Sequence, residues 1–203
     1  MGIRIVLTAV SAYLLGSLSF AIIVSRALLK KDIRELGSGN AGLTNAYRNM
    51  GPAGAALVLA GDFGKGMLAC YLGGVVMDLD GKLLAGVFVM LGHLFPLYFG
   101  FKGGKGILTT CGVLLIFDWR VCCTLLSIFL ILAIVTRYIS LGSVTAAAAF
   151  PFVMYYFHHN WIYTLVALGI GGIVLWSHRS NITRLIKGTE SKFTWKVPGA
   201  GRK

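Results

Sequence analysis

Apolar residues in this chain occur in long, nearly uncharged blocks instead of the narrow stripe that an amphipathic soluble helix shows. A helix needs about 20 predominantly apolar residues to cross the hydrocarbon core of a bilayer. The pattern therefore predicts an all-α integral membrane protein, a polytopic bundle of about seven transmembrane helices. The predicted spans are Ile5–Ser25, Pro52–Met77, Leu83–Tyr98, Gly104–Phe117, Val121–Thr136, Leu141–Phe157 and Trp161–Ser177.

The fourth and fifth predicted spans are short, so an alternative arrangement has five spans and leaves these two out. The first block is expected to remain as a span. Its apolar run is longer than the core of a signal peptide, which is about 7–15 residues, and a charged segment follows it.

Composition supports the membrane prediction. Of the 203 residues, 57% are hydrophobic and 13% are charged, whereas a soluble domain has about 25% charged residues. No polar segment is long enough to form a separate soluble domain, so residues 1–203 are expected to form one membrane-embedded domain. The last residues, Pro198–Lys203, are expected to be frayed.

The net charge of +12 is distributed unevenly between the two sides of the predicted bundle. Fifteen of the 19 lysines and arginines lie on the side that carries the C-terminal tail. Cytoplasmic loops are enriched in these residues, so the C-terminus is predicted to be cytoplasmic and the N-terminus outside. This topology accounts for the charge without nucleic acid.

The loop after the first span reads Gly-Ser-Gly-Asn-Ala-Gly-Leu-Thr-Asn-Ala-Tyr-Arg and runs from Gly37 to Arg48. Its glycines let backbone N–H groups approach a ligand, and the guanidinium of Arg48 is suited to phosphate. We interpret the loop as an anion cradle, in preference to a simple polar connection. Its candidate substrate-binding residues are Ser38, Gly39, Asn40, Gly42, Thr44 and Asn45, with Arg48 as a candidate catalytic residue.

A second glycine-rich loop carries Lys102, Gly103, Gly104 and Lys105 on the same predicted side. Two lysines next to glycines are expected to form a positive site with free backbone donors, although topology alone would also explain the lysines. Within the spans, Asp62 and Lys65 are three residues apart and can pair, either as structural support or to fix the cradle. His93 is expected to be a packed, hydrogen-bonded core residue.

Two further candidate groups lie near the predicted cytoplasmic ends of the last spans. Ser140 and Ser143 are three residues apart and could line one helix face, but taken alone they are better explained as serines bonded to carbonyls of their own helix. If the seventh helix continues, His178 and Asn181 share a face and would complete a polar pocket. The alternative is a basic helix end whose side chains reach toward the membrane surface.

The motifs of several function classes are absent from the sequence. The chain contains no Gly-x-x-x-x-Gly-Lys-[Ser/Thr] motif, no His-x-x-x-x-Asp dyad and no carboxylate cluster suited to a metal. The candidate site is therefore expected to be cationic and to work without a metal or another cofactor.

Taken in order along nearly the whole chain, five stretches resemble the bacterial acyl-phosphate:glycerol-3-phosphate acyltransferases, the PlsY family. One departure is Leu43, where the family more usually has alanine. The stretches are Gly37–Arg48, Asp62–Gly66, Gly92–Pro96 with Phe101–Gly106, Arg137–Ser143 and His178–Leu185.

This resemblance implies transfer of a fatty acyl group from acyl phosphate to the sn-1 hydroxyl of glycerol 3-phosphate, giving lysophosphatidic acid and phosphate. It also implies a location in the bacterial cytoplasmic (inner) membrane, and that neither acyl-CoA nor acyl carrier protein is the direct donor. The matched positions assign phosphate binding to the first loop, charge to Arg48 and Lys105, and the glycerol phosphate pocket to Ser143, His178 and Asn181. Either His178 or a substrate phosphate oxygen would accept the hydroxyl proton.

A transporter of phosphate or of a phosphorylated solute is the alternative function, since such a protein also needs a cationic, glycine-rich site. Transporter sites usually lie near the membrane midplane between repeats, whereas these polar residues are expected to gather at the cytoplasmic face. The bilayer is the only further partner that the sequence indicates.

Overall fold

The computed structural model describes residues 1–194, and within that range every regular element is a helix. The all-α prediction is therefore confirmed, while the predicted frayed end, Pro198–Lys203, lies outside the described residues. The helices are α1 Gly2–Gly16, α2 Phe20–Leu29, α3 Leu43–Leu94, α4 Ile107–Phe117, α5 Trp119–Thr136, α6 Ile139–His158, α7 Trp161–Ser177 and α8 Arg179–Ile186, with 3₁₀ turns at Ile33–Glu35 and Leu97–Phe99.

Four helical stretches in residues 1–194 are long and apolar enough to cross a membrane, or five if the bent α7–α8 pair is one span. They include Gly2–Leu29 and the 57-residue stretch Leu43–Phe99. The predicted fifth span is α5, whose 18 residues qualify, so the five-span alternative was wrong to leave it out. The fourth is α4, which begins at Ile107 instead of Gly104 and has only 11 residues.

Helix α3 is interrupted at two places, and both interruptions agree with predicted span ends. Gly51 has a φ of 71°, which favours glycine, and Pro52 then begins the next helical piece, where its missing N–H costs little. Met77 and Asp78 also leave the helical conformation. The pieces before and after that turn pack closely, because a Cβ at Gly73 would overlap the carbonyl oxygen of Gly81.

The first predicted span is broken between α1 and α2, which no feature of the sequence indicated. The hydroxyl of Ser17 donates to Tyr13 O at 2.9 Å and accepts from the backbone N–H of Leu97 at 3.2 Å. The carbonyl of Leu18 is released from the helix ladder and accepts from Lys65 Nζ at 2.6 Å. The break therefore exposes a backbone acceptor to a buried lysine.

The described residues form two compact units. In the first unit, Met1–Phe117, helices α1, α2 and α4 all pack on α3. Glycines allow the closest approach, because a Cβ at Gly16 would overlap Val89 O. In the second unit, which begins at Asp118, α6 packs between α5 and α7, and the Asp118 side chain caps α5 by accepting from Arg120 N at 2.9 Å.

Candidate active site

The first candidate loop lies in the first unit and leads into α3. Gly37 and Gly39 have φ values of 56° and 71°. Residues other than glycine adopt this left-handed conformation only at a cost in conformational free energy. The bends at these glycines leave Ser38 and Gly39 exposed, while Asn40 is half-buried. The glycine pattern therefore provides a tight, accessible loop directly before a helix.

Asn45 organises this loop from beneath. Its Oδ1 accepts from the backbone N–H of Ser38 at 3.1 Å, and its Nδ2 donates to the carbonyls of Leu36 at 2.9 Å and Asn40 at 3.0 Å. The side chain is almost fully buried, at 2% exposure. Asn45 was predicted to bind substrate, and here its amide atoms bind the backbone that carries Ser38 and Asn40.

Thr44 and Arg48 lie one turn apart on the first piece of α3, and both are half-buried. Residues at this spacing share a helix face. Gly42 is the residue before the helix and has an extended conformation. Thr44 therefore lies in the first turn, where backbone N–H groups favour anions.

The second candidate loop connects the 3₁₀ turn at Leu97–Phe99 to α4. The N–H of Gly103 donates to Leu94 O at 3.1 Å, and that of Gly104 donates to His93 O at 3.2 Å. The expectation of free backbone donors is therefore wrong for these two glycines, because the preceding helix end uses them. Lys102 is exposed and Lys105 is half-buried.

Arg34 lies in the 3₁₀ turn just before the first loop and hydrogen-bonds the segment of the second loop, a role that the sequence did not indicate. Its Nη1 atom donates to the carbonyls of Phe99 at 2.7 Å and Lys102 at 3.0 Å. Its other nitrogens form a two-pronged pair with Asp32, at 3.0 and 2.9 Å. The hydrogen bond from Arg34 holds the pKa of the Asp32 carboxyl well below its usual value, so this pair stays charged at neutral pH.

The two candidate groups near the ends of the last spans, Ser140 with Ser143 and His178 with Asn181, lie in the second unit. One residue of each group contacts the same carboxylate. Ser140 Oγ and Asn181 Nδ2 both donate to Oε1 of Glu190 at 2.7 Å, and Arg184 Nε donates to Oε2 at 2.6 Å. Ser143 Oγ bonds back to Ile139 O at 3.0 Å, the structural alternative considered for it. The structure thus brings Ser140 and Asn181 together through a residue that sequence reasoning missed.

Glu190 lies beyond α8, in a segment that returns to the start of α6: the N–H of Phe193 donates to Arg137 O at 2.8 Å. Burial opposes ionisation of Glu190, but hydrogen bonds from Ser140, Asn181 and Arg184 outweigh it and lower its pKa. In the sequence, Glu190 is marked only as a carboxylate a few residues after a basic helix. Such carboxylates are common in loops, so this feature did not identify Glu190 as a partner of Ser140 and Asn181.

His178 lies at a bend and not within a continued seventh helix, so that expectation is corrected. Helices α7 and α8 meet there at 63°. The buried Nδ1 of His178 is 2.9 Å from Val174 O. A carbonyl oxygen only accepts, so Nδ1 carries the proton and Nε2 is the basic nitrogen of the neutral ring.

The structure therefore brings the first and second candidate loops together in the first unit, and Ser140 and Asn181 together in the second. Within residues 1–194, no group of three or more His, Cys, Asp or Glu side chains is placed to hold a metal ion. The two loops of the first unit are rich in cationic side chains and exposed glycine backbone, a combination that is suited to binding anions.

Comparison with known proteins agrees on one family. The family model described as "Glycerol-3-phosphate acyltransferase" matches residues 6–188. The glycerol-3-phosphate acyltransferase of Carboxydothermus hydrogenoformans is 40% identical over 195 residues, covering 96% of this chain and 100% of that protein. The protein of the same name from Syntrophomonas wolfei is 40% identical over 188 residues, covering 93% and 96%.

Two solved structures have the same fold. Both are crystal structures of PlsY (YgiH), described as an integral membrane glycerol 3-phosphate acyltransferase. The glycerol 3-phosphate form has a TM-score of 0.88 and 33% identity, and the lysophosphatidic acid form has a TM-score of 0.85 and 32% identity. Each comparison covers 94% of this chain and 96% of the other chain.

Proposed function

Because this chain belongs to the glycerol-3-phosphate acyltransferase family, we propose that acyl phosphate is the donor from which it acylates the sn-1 hydroxyl of glycerol 3-phosphate. The chain is an integral membrane acyltransferase of glycerol 3-phosphate. Nothing in the comparisons favours the phosphate transporter that the charge pattern had left open.

The proposed reaction needs no covalent enzyme intermediate, because acyl phosphate is a mixed anhydride with a good leaving group. The glycerol hydroxyl oxygen forms a bond to the acyl carbonyl carbon, whose oxygen becomes negatively charged. The bond from that carbon to the phosphate oxygen then breaks, releasing inorganic phosphate and lysophosphatidic acid. The protein has to align two substrates and stabilise the charge that develops on oxygen.

In the first unit, the observation that supports the proposal is the proximity of two cationic, glycine-rich loops. Arg34, in the turn before the first loop, hydrogen-bonds the second, and Gly104 of the second packs against Ala41 of the first. We assign Ser38, Gly39, Asn40, Gly42 and Thr44 to binding of a phosphate group. Arg48 and Lys105 supply the positive charge, with Lys102 at the entrance. Asn45, Gly103 and Gly104 hold the loops in shape through the contacts described above.

In the second unit, we assign Ser140, Ser143, His178 and Asn181 to glycerol 3-phosphate. The hydrogen bond at Nδ1 supports His178 as the base, because with the proton on Nδ1 the basic nitrogen of the neutral ring is Nε2. A phosphate oxygen of the substrate is the other acceptor. We place these residues at the cytoplasmic face of the inner membrane, since most basic residues of the chain share their predicted side and cytoplasmic loops are enriched in such residues.

A donor competition experiment tests the proposal. The purified protein in lipid nanodiscs is given glycerol 3-phosphate with acyl phosphate, acyl-CoA or acyl carrier protein carrying the same chain. We expect lysophosphatidic acid and an equal amount of released phosphate only with acyl phosphate. Lys105→Ala is expected to lower turnover about 100-fold or more, because it removes charge that stabilises the transition state.

The Lys105→Ala protein also corrects for spontaneous hydrolysis of acyl phosphate. Comparable turnover with acyl-CoA or acyl carrier protein would contradict the proposed donor. Near-normal turnover of Lys105→Ala would contradict the assignment of the second loop.

A further inference from the structure

His93 separates a buried ion pair from the second candidate loop. The histidine is 3% exposed and belongs to the last turn of α3. Its carbonyl accepts the N–H of Gly104, and its ring packs on Gly104 so closely that a Cβ there would overlap Nε2. The same Cβ would lie 2.5 Å from Ala41 O in the first loop. Gly104 is therefore held between His93 and Ala41.

The other side of the His93 ring faces Asp62. Its Nδ1 lies 3.6 Å from Asp62 Oδ1, and both atoms are buried. The same carboxylate oxygen is 2.8 Å from Lys65 Nζ, which also donates to Leu18 O at 2.6 Å. A continuous series of contacts thus extends from the break in the first span, through Lys65, Asp62 and His93, to Gly104.

Charged residues in a membrane span are costly, by about 2.5–3.5 kcal/mol each on insertion scales. A histidine that only filled the core would need neither a carboxylate on one side nor a loop glycine on the other. Ion pairs that only stabilise a helix bundle do not require contact with a functional loop. The geometry here connects the pair to the residue preceding Lys105.

We propose that His93, supported by the Asp62–Lys65 pair, is a positioning residue that fixes Gly103–Lys105 against the first loop. It thereby presents Lys105 to a substrate phosphate. This inference rests on the proposed function of Lys105. It assigns to His93 no contact with substrate and no transfer of a proton.

The test combines kinetics with an observation of the loop that does not depend on activity. His93→Leu, His93→Gln and Gly104→Ala proteins are prepared in nanodiscs, and amide hydrogen exchange is measured over residues 95–106 without substrates. We expect faster exchange at Gly103 and Gly104 in His93→Leu and Gly104→Ala. We also expect kcat to fall about 100-fold, the effect of misplacing a catalytic group by roughly 1 Å.

The KM for glycerol 3-phosphate is expected to change much less than kcat. His93→Gln is expected to recover much of the loss, because its amide can contact both Asp62 and the loop. Gly104→Ala displaces the ring from the opposite side, so it keeps the test decisive if His93→Leu does not fold.

His158→Gln is the matched control. It removes a second histidine–carboxylate contact, 3.1 Å between His158 Nε2 and Asp118 Oδ2, in the second unit. We expect it to leave exchange over residues 95–106 and kcat unchanged.

Loss of activity in His93→Leu without faster loop exchange would overturn the proposal, as would wild-type kcat and exchange in that variant. If the wild-type protein does not use acyl phosphate, the proposed donor is wrong, but the exchange measurement still tests whether His93 fixes the loop.

Discussion

Asn45 and Asn181 are the same residue type in two predicted substrate-binding motifs, but their partners differ. Asn45 hydrogen-bonds the backbone of its own loop, while Asn181 donates to the carboxylate of Glu190. An amide has both donors and acceptors, so its type alone does not say which partner it takes. Both side chains are thereby fixed, one as loop scaffold and one within a side-chain network.

His178→Ala separates the two proposed bases. If the histidine accepts the hydroxyl proton, kcat should fall about 100- to 10,000-fold, the usual contribution of general base catalysis, with a smaller change in KM. Steady-state phosphate release at saturating acyl phosphate measures both parameters. A kcat within a few-fold of wild type would assign the proton to a substrate phosphate oxygen.

Glu190→Gln tests the carboxylate that binds Ser140 and Asn181. Loss of the charge should weaken three hydrogen bonds and lower the free energy of unfolding by about 2 kcal/mol at neutral pH. In the wild-type protein the pKa of Glu190 is lowered from its ordinary value of 4.5. Its stabilisation is therefore present above pH 4.5 and lost as the pH falls through the folded-state pKa.

Thermal unfolding of both proteins in detergent between pH 3 and 7 measures this difference. The gap between wild type and Glu190→Gln should be largest at neutral pH and should close in acid. A gap that does not depend on pH would show that the charge of Glu190 does not stabilise the fold.

At the scale of elements, the interruptions of the helices decide where polar groups are available. The break at Ser17–Ser19 releases Leu18 O for Lys65. The break at Gly51 separates the short helical piece that bears Thr44 and Arg48 from the following span. A buried lysine is tolerated only where its charge and donors have partners. The broken helix and the intramembrane ion pair therefore explain each other.

Two glycines of α3 provide a matched test of helix packing. Gly73→Ala should destabilise the protein, because its Cβ would overlap Gly81 O, whereas Gly64 has open space and should accept alanine. In a helix alanine is favoured over glycine by about 1 kcal/mol, so Gly64→Ala should be neutral or slightly stabilising. Thermal unfolding of the two variants measures the contrast, and equal effects would contradict the close packing.

At the scale of the whole molecule, the distribution of charge predicts how the chain lies in the membrane. Fifteen lysines and arginines fall on the predicted cytoplasmic side, including those of both candidate loops of the first unit. The charges that are proposed to bind phosphates are therefore the same ones that would retain their loops in the cytoplasm. On this prediction, topology and substrate binding would depend on one set of residues.

Reporter fusions in cells check this orientation. Green fluorescent protein fused after Lys203 should fluoresce, and alkaline phosphatase at that position should be inactive, because the C-terminus is predicted to be cytoplasmic. Fusion after Asp80 should reverse both results, since the turn at Met77–Asp78 is predicted to lie outside. Active phosphatase after Lys203 would contradict the predicted topology.

The sequence by itself determined the helical membrane architecture and the family, because both follow from short, continuous stretches of the chain. Apolar blocks long enough to span a bilayer need no knowledge of the fold, and Pro52 marked a helix start that the structure confirms. Ordered motifs such as Gly37–Arg48 identified the family before any contact was known.

Only the tertiary structure decided which polar atoms form hydrogen bonds within the protein. By sequence, Arg34 was only one of the basic residues that set the predicted topology, yet it hydrogen-bonds the second loop, over sixty residues away in the chain. Gly103 and Gly104 looked like free donors, yet their N–H groups complete the end of α3. A hydrogen bond between remote segments forms only when the distance between its two heavy atoms is within a few tenths of an ångström of about 3 Å, and no local pattern encodes that distance.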